Sequence, residues 1–97
     1  LERGDILDVD RLAEVMRVHR PDAVMHFAAL AYVGESVKDP ERYYRTNVTG
    51  TLNLLAVMRA HDVPRLVFSS SCATYGIPER VPITVDTAQC PVNPYGW

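Results

Sequence analysis

Ninety-seven residues carry ten Lys and Arg against twelve Asp and Glu, a formal net charge of -2, with 47% hydrophobic and 23% charged side chains. With no basic run, that balance offers no electrostatic footprint for nucleic acid or an anionic membrane, and the apolar stretches fall far short of the ~20 residues that span a bilayer. Cys72 and Cys90 build no disulfide framework, and His19, His26 and His61 lack the close spacing of a zinc site, so a reduced, cytoplasmic, metal-free protein is expected.

In chain order, a short opening strand is expected to lead to Asp5-Ile6. Asp8 can then cap a helix from about Val9 to His19, in which Val9, Leu12, Ala13 and Met16 share one face while Arg11, Glu14 and Arg17 point outward. Pro21 stops it. The run Ala23 to Ala29 has no polar alternation, which predicts a strand covered on both faces. Asp39 at the N-cap, Pro40 at the first helical position and Glu41 in the first turn predict a second helix, running to about Ala60. Gly50 costs that helix roughly 1 kcal/mol relative to alanine, which suggests close approach to a neighbouring strand. Arg65 to Ser70 reads as another buried strand. From Gly76 to Pro94 the chain has four of its seven prolines and no periodicity, so a long irregular loop is predicted.

Alternating strands and helices imply an α/β fold, a doubly wound parallel sheet with right-handed crossovers. Ligands bind beyond the carboxyl ends of the strands in such sheets. Three segments should converge there: Asp5-Ile6, Phe27-Ala28-Ala29, and Ser69-Ser70-Ser71.

The words GDILD, HFAALAYVGESV, YYRTNVTGTLNLL, VFSSSCATYG and NPYG occur in this order. In sequence and spacing they resemble the UDP-glucose 4-epimerase family of the extended short-chain dehydrogenase/reductases, over essentially the whole chain. The most discriminating word is FSSSCATYG, since the related nucleotide-sugar dehydratases usually have Thr-Asp-Glu where Ser71-Cys72-Ala73 stand here. The resemblance implies a Rossmann-type NAD-binding domain and NAD as cofactor. It also implies a UDP-sugar substrate, and a homodimer built partly on the helix from Pro40 to Ala60.

What the resemblance implies for individual residues stands beside what they suggest alone. Asp5 and Ile6 match an adenine-contacting pair, although an acidic turn before a helix cap would look the same. Phe27, Ala28 and Ala29 match a segment lying along the dinucleotide, and they also suit the end of a core strand. Asn47 shares a helix face with Thr51, Leu54 and Met58, and a buried amide there needs partners; in the family the matching residue supports the active-site backbone and cofactor. Ser69 belongs with the cofactor contacts, and Ser71, Cys72, Ala73 and Tyr95 with the sugar. Catalysis is implied for Ser71 and Tyr95. A tyrosinate would take the proton of the sugar's 4-hydroxyl while hydride leaves C4 for NAD, and the serine hydroxyl would bridge the two oxygens. Alone, the serine run is a polar loop, and NPYG a turn with Pro at the second position and Gly at the fourth.

The chain departs from the family pattern in two residues: Ala31 stands where many members have lysine, and Thr46 where some have a second asparagine. A catalytic lysine would follow Tyr95 by four positions, two beyond Trp97. No glycine-rich turn for a pyrophosphate occurs. Residues 1–97 are therefore expected to be a partial NAD-binding domain. It would lack the first two strands with the glycine-rich loop and everything after the start of the catalytic-tyrosine helix. In strand order 3-2-1-4-5-6 the opening strand would have no neighbour and the strand from Ala23 a bare edge. Such a fragment is expected to be inactive alone, and stable only when another segment completes its sheet. Two alternatives remain: a UDP-xylose/UDP-arabinose 4-epimerase, or a non-catalytic NAD-binding protein of the same fold.

Overall fold

The computed structural model describes residues 1–97. Its first helix, α1, spans Val9–His19, and the Asp8 side chain accepts from the Arg11 amide as the sequence predicts. Arg20 ends it in the left-handed conformation, its N–H bonded to the Met16 carbonyl. Strand β1 (Val24–His26) and strand β2 (Leu66–Phe68) pair in parallel, with Val24 opposite Leu66 and His26 opposite Phe68. The ladder continues one residue further, because the Ser69 amide donates to the His26 carbonyl at 3.1 Å. A parallel pair needs a long crossover. Here the crossover contains α2 (Val33–Lys38), α3 (Pro40–Tyr43), a π-helical stretch (Tyr44–Thr49) and α4 (Gly50–Ala60).

The core lies between α1, α4 and one face of the sheet. Met16, Leu54, Val57, Met58 and Val63 are buried together, with Leu12, Ala13, Val24 and Leu66 packed against them. Each of the five buried side chains contributes roughly 1.5–3 kcal/mol by leaving water.

Four expectations need correction. Residues 1–5 form no strand, because a strand needs a ladder partner and no neighbour offers one. The sheet has two strands, β1 and β2. Neither strand is buried on both faces: in β1 His26 is buried whereas Met25 and Phe27 are 65% and 66% exposed, and in β2, expected to be buried, Val67 and Phe68 are both 56% exposed. The helix predicted from Pro40 to Ala60 begins at the Asp39 cap, whose carboxylate accepts from the Arg42 amide, but it passes through the π-helical stretch before Gly50. Finally, Gly50 approaches a side chain of the opening loop and not a strand. A Cβ added there would sit 2.6 Å from Ile6 Cδ1 and Cγ1.

The sequence did not reveal α2, a single short helix with no side-chain cap. The expected irregular segment after Gly76 does lack helix and strand. Gly76 itself has φ +61°, and an added Cβ would fall 1.9 Å from the Cys90 carbonyl oxygen. Gly76→Ala should therefore release the contact between these two ends of the loop at a cost of about 2–3 kcal/mol. Hydrogen exchange would show it as lost protection between residues 76 and 96, and unchanged exchange there would refute the steric account.

Candidate active site

Both strands run in the same direction, so their carboxyl ends open on one side. There Phe27-Ala28-Ala29 leaves β1 and Ser69-Ser70-Ser71 leaves β2. A cavity of about 220 Å³ lies between them, lined by these residues with His26, Asn47, Thr51, Thr74 and the stretch Tyr95-Gly96-Trp97 among others. A larger concavity of about 450 Å³ lies at the amino ends of the strands, among Arg17, Arg20, Asp22, His61, Asp62 and Arg65. It holds charge but none of the hydroxyl, amide and phenol groups that gather at the carboxyl ends.

Asn47 sits within the π-helical stretch. Its Oδ1 accepts from the Leu30 amide and its Nδ2 donates to the Leu30 carbonyl, both at 2.9 Å. One side chain thus satisfies both backbone polar groups of the residue that follows Ala29. These are the partners its position on the helix required. A π turn widens the helix locally and recurs at functional sites. The Asn47 carbonyl accepts from the Thr51 hydroxyl at 2.5 Å, and Thr51 meets the buried His26 ring at 3.0 Å. Side chains from β1 and α4 therefore brace the cavity floor as one connected set. Sequence reading placed neither His26 nor Thr51 in it, because each looked like an ordinary polar residue in an apolar element.

Ser71 caps the short 3-10 helix Cys72–Tyr75, its Oγ accepting from the Ala73 amide at 3.2 Å. That bond fixes the oxygen and leaves its O–H free to donate. Tyr95 rides on the predicted turn. The Asn93 side chain accepts from the Gly96 amide at 2.9 Å, and the Asn93 carbonyl from the same amide at 3.0 Å. Gly96 lets this turn lie against the 3-10 helix, since a Cβ there would be 2.5 Å from the Ala73 carbonyl oxygen. Two loops far apart in sequence are thereby pressed together, and Ser71 and Tyr95 line the same cavity.

Of the residues singled out from sequence, Phe27, Ala28, Ala29, Asn47, Ser69, Ser71 and Tyr95 line this cavity. Asp5 and Ile6 line a separate recess with Gly4 and Arg11. The Asp5 carboxylate accepts from the Leu7 amide at 2.9 Å, and the Ile6 carbonyl accepts from Asn53 at 3.3 Å. Cys72 is exposed, and Cys72 and Ala73 stand beside the cavity on the 3-10 helix without lining it. No three His, Cys, Asp or Glu side chains group as metal ligands.

A family model described as GDP-mannose 4,6 dehydratase matches residues 1–97. The chain belongs to this family. Within the GDP-mannose 4,6 dehydratase family the chain is 54% identical to the UDP-glucose 4-epimerase of Rhizobium meliloti over 99% of its own length and 29% of that protein's. It is 50% identical to a putative UDP-arabinose 4-epimerase of Arabidopsis thaliana, over 96% of the chain and 22% of the relative. The UDP-glucose 4-epimerase of Brucella ovis, crystallised with NAD, superposes with a TM-score of 0.94 at 58% identity, covering 98% of this chain and 29% of that one. The fold class is thus the Rossmann type of these NAD-binding epimerases, and the chain spans less than a third of the curated relatives it matches.

Proposed function

We propose that these residues form part of an NAD-dependent nucleotide-sugar 4-epimerase, which interconverts UDP-glucose and UDP-galactose in galactose metabolism. The observation that carries this reading is the meeting of Ser71 and Tyr95 at one cavity beyond the carboxyl ends of two parallel strands. The likeness to UDP-glucose 4-epimerases over nearly the whole chain supports it.

The cavity residues suit a dinucleotide. Ala28 and Ala29 bring backbone to the wall with no side chain beyond Cβ, and Asn47 holds the next peptide in place. When bound, NAD supplies the acceptor and donor of hydride at the sugar's C4. Tyr95 as phenolate takes the proton of the 4-hydroxyl and later returns it. Ser71, already fixed by the Ala73 amide, donates to the same sugar oxygen and holds it within transfer reach. Asp5 and Ile6 lie in their own recess and suit the far, adenine end of an extended cofactor. Cys72 and Ala73, next along the chain from Ser71, would border the sugar.

A homodimer of the intact gene product fits the outer face of the long helix. Tyr44, Leu52 and Leu55 stand there, 41–59% exposed, apolar side chains of the kind that helix pairs bury. A reducing, cytoplasmic setting fits the two free, exposed thiols of Cys72 and Cys90. No helix is long and apolar enough to cross a membrane.

The direct test is proton NMR of the anomeric signals when the intact gene product meets UDP-glucose, and separately UDP-galactose. Both should relax to one mixture without net change in NAD. The likeness to UDP-arabinose 4-epimerases favours a second reading, conversion of UDP-arabinose to UDP-xylose, and the same assay on the pentoses reads it. Retention of NAD with no turnover of either pair would instead support a non-catalytic NAD-binding protein.

A further inference from the structure

The largest fully buried side chain in the molecule belongs to Tyr43, 1% exposed at the end of α3. Its hydroxyl accepts from the Tyr32 amide at 2.9 Å and donates to Glu35 Oε2 at 2.9 Å. The other oxygen of Glu35 meets Arg42 Nη1 at 2.7 Å. The Tyr32 amide and the Glu35 carboxylate, itself held by Arg42, thus lock one phenol by both its acceptor and its donor. The sequence patterns assigned Tyr43 no role, although it opens the word YYRTNVTGTLNLL, since its bonds reach back eight and eleven positions into HFAALAYVGESV.

What this anchored ring touches gives it a purpose. Its plane stands at 82° to that of Tyr95, with centroids 6.3 Å apart, an edge-to-face pair. Tyr95 sits on a turn outside any helix or strand. The bonds of that turn involve Asn93, Gly96 and Trp97 and hold the backbone, leaving the direction of the Tyr95 ring to its neighbours.

We infer that Tyr43 is a positioning residue, a fixed wall that aims the Tyr95 phenol into the cavity. This rests on the epimerase reading. A base must lie within about 2.6–3.2 Å of the proton it removes, and a displacement of about 1 Å can cost roughly 10²-fold in rate. Burial, and next the Glu35 carboxylate, push the Tyr43 phenol above its ordinary pKa, against a smaller opposing effect of the Tyr32 amide. Tyr43 therefore stays protonated at neutral pH and keeps donating to Glu35.

The test uses the intact gene product with carbon-13-labelled tyrosine. Wild type should show a nuclear Overhauser contact between the two rings, and Tyr95, assigned with Tyr95→Phe, should be shifted by the ring current of Tyr43. Tyr43→Leu should remove that shift and lower kcat by roughly 10²-fold with KM within about threefold. Tyr43→Phe keeps the ring but loses the two hydroxyl bonds that anchor it, so both the shift and the rate should fall between those of wild type and Tyr43→Leu.

An absent ring contact in wild type overturns the inference even if Tyr43→Leu fails to fold. So does a Tyr43→Phe variant as slow as Tyr43→Leu, or a Tyr43→Leu effect confined to KM. A wild type that holds both rings together yet epimerises neither sugar pair overturns the epimerase reading, and Tyr43's catalytic purpose with it.

Discussion

Tyr95→Phe should cost the intact gene product roughly 10²–10⁴-fold in kcat, the range a positioned general base supplies. Only the phenolic oxygen is lost. The ring remains to pack against Tyr43, and the turn bonds of Asn93, Gly96 and Trp97 are untouched. Stability and NAD content should therefore stay at wild-type values. KM should change little, because the oxygen acts on the proton in flight and contributes little to ground-state binding. Ser71→Ala makes a graded comparison. It removes the hydroxyl proposed to meet the sugar and also the cap on the Ala73 amide, so some loosening of the loop should accompany the loss of rate. Steady-state kinetics on UDP-glucose with both variants would decide the matter. A Tyr95→Phe protein of undiminished turnover would end the proposed chemistry.

Asn47→Ala should destabilise the protein by about 1–3 kcal/mol and slow it as well. The substitution strands both the amide and the carbonyl of Leu30, each now bonded at 2.9 Å. A fully buried orphan costs about 1–3 kcal/mol. Asn47 and Leu30 are both half-buried, so water can recover part of the loss and the two costs should not simply add. The activity loss has a separate origin, since the freed peptide directly follows Ala29 in the cavity wall. Asn47→Asp isolates the two halves of the clamp: a carboxylate still accepts from the Leu30 amide but faces the Leu30 carbonyl with like partial charge. Denaturant melts of the three proteins should rank wild type above Asp or Ala. Equal midpoints for all three would mean that the paired bonds contribute nothing measurable.

Local chemistry made much of the fold readable. Asp8 and Asp39 cap helices where the sequence says they should, because a cap needs only one carboxylate and an amide three residues on. The Asn93-Pro94-Tyr95-Gly96 turn and the irregular stretch after Gly76 are equally local. The errors share another origin. The opening strand and the second covered face of β1 both depend on neighbours, and a residue pattern records its own preference without its partner's presence. The π-helical stretch was hidden because Leu54 and Met58, whose spacing marks the helix, lie beyond it in α4 and keep the ordinary α period.

The candidate site divides along the same line. The identities of Ser71, Tyr95 and Asn47 were set by sequence, through residue types whose proton-transfer and hydrogen-bonding chemistry is intrinsic to each side chain. Their convergence was decided by tertiary structure: a parallel strand pair that aligns two carboxyl ends, a glycine that admits one loop against another, and an amide reaching seventeen positions back to Leu30. Tyr43 belongs wholly to that second group. Its hydroxyl could bond many partners, and only the folded chain brings Glu35, the Tyr32 amide and the Tyr95 ring around it. Bond types follow from covalent chemistry and can be read residue by residue, whereas distances between remote groups exist only once packing has removed the chain's conformational freedom.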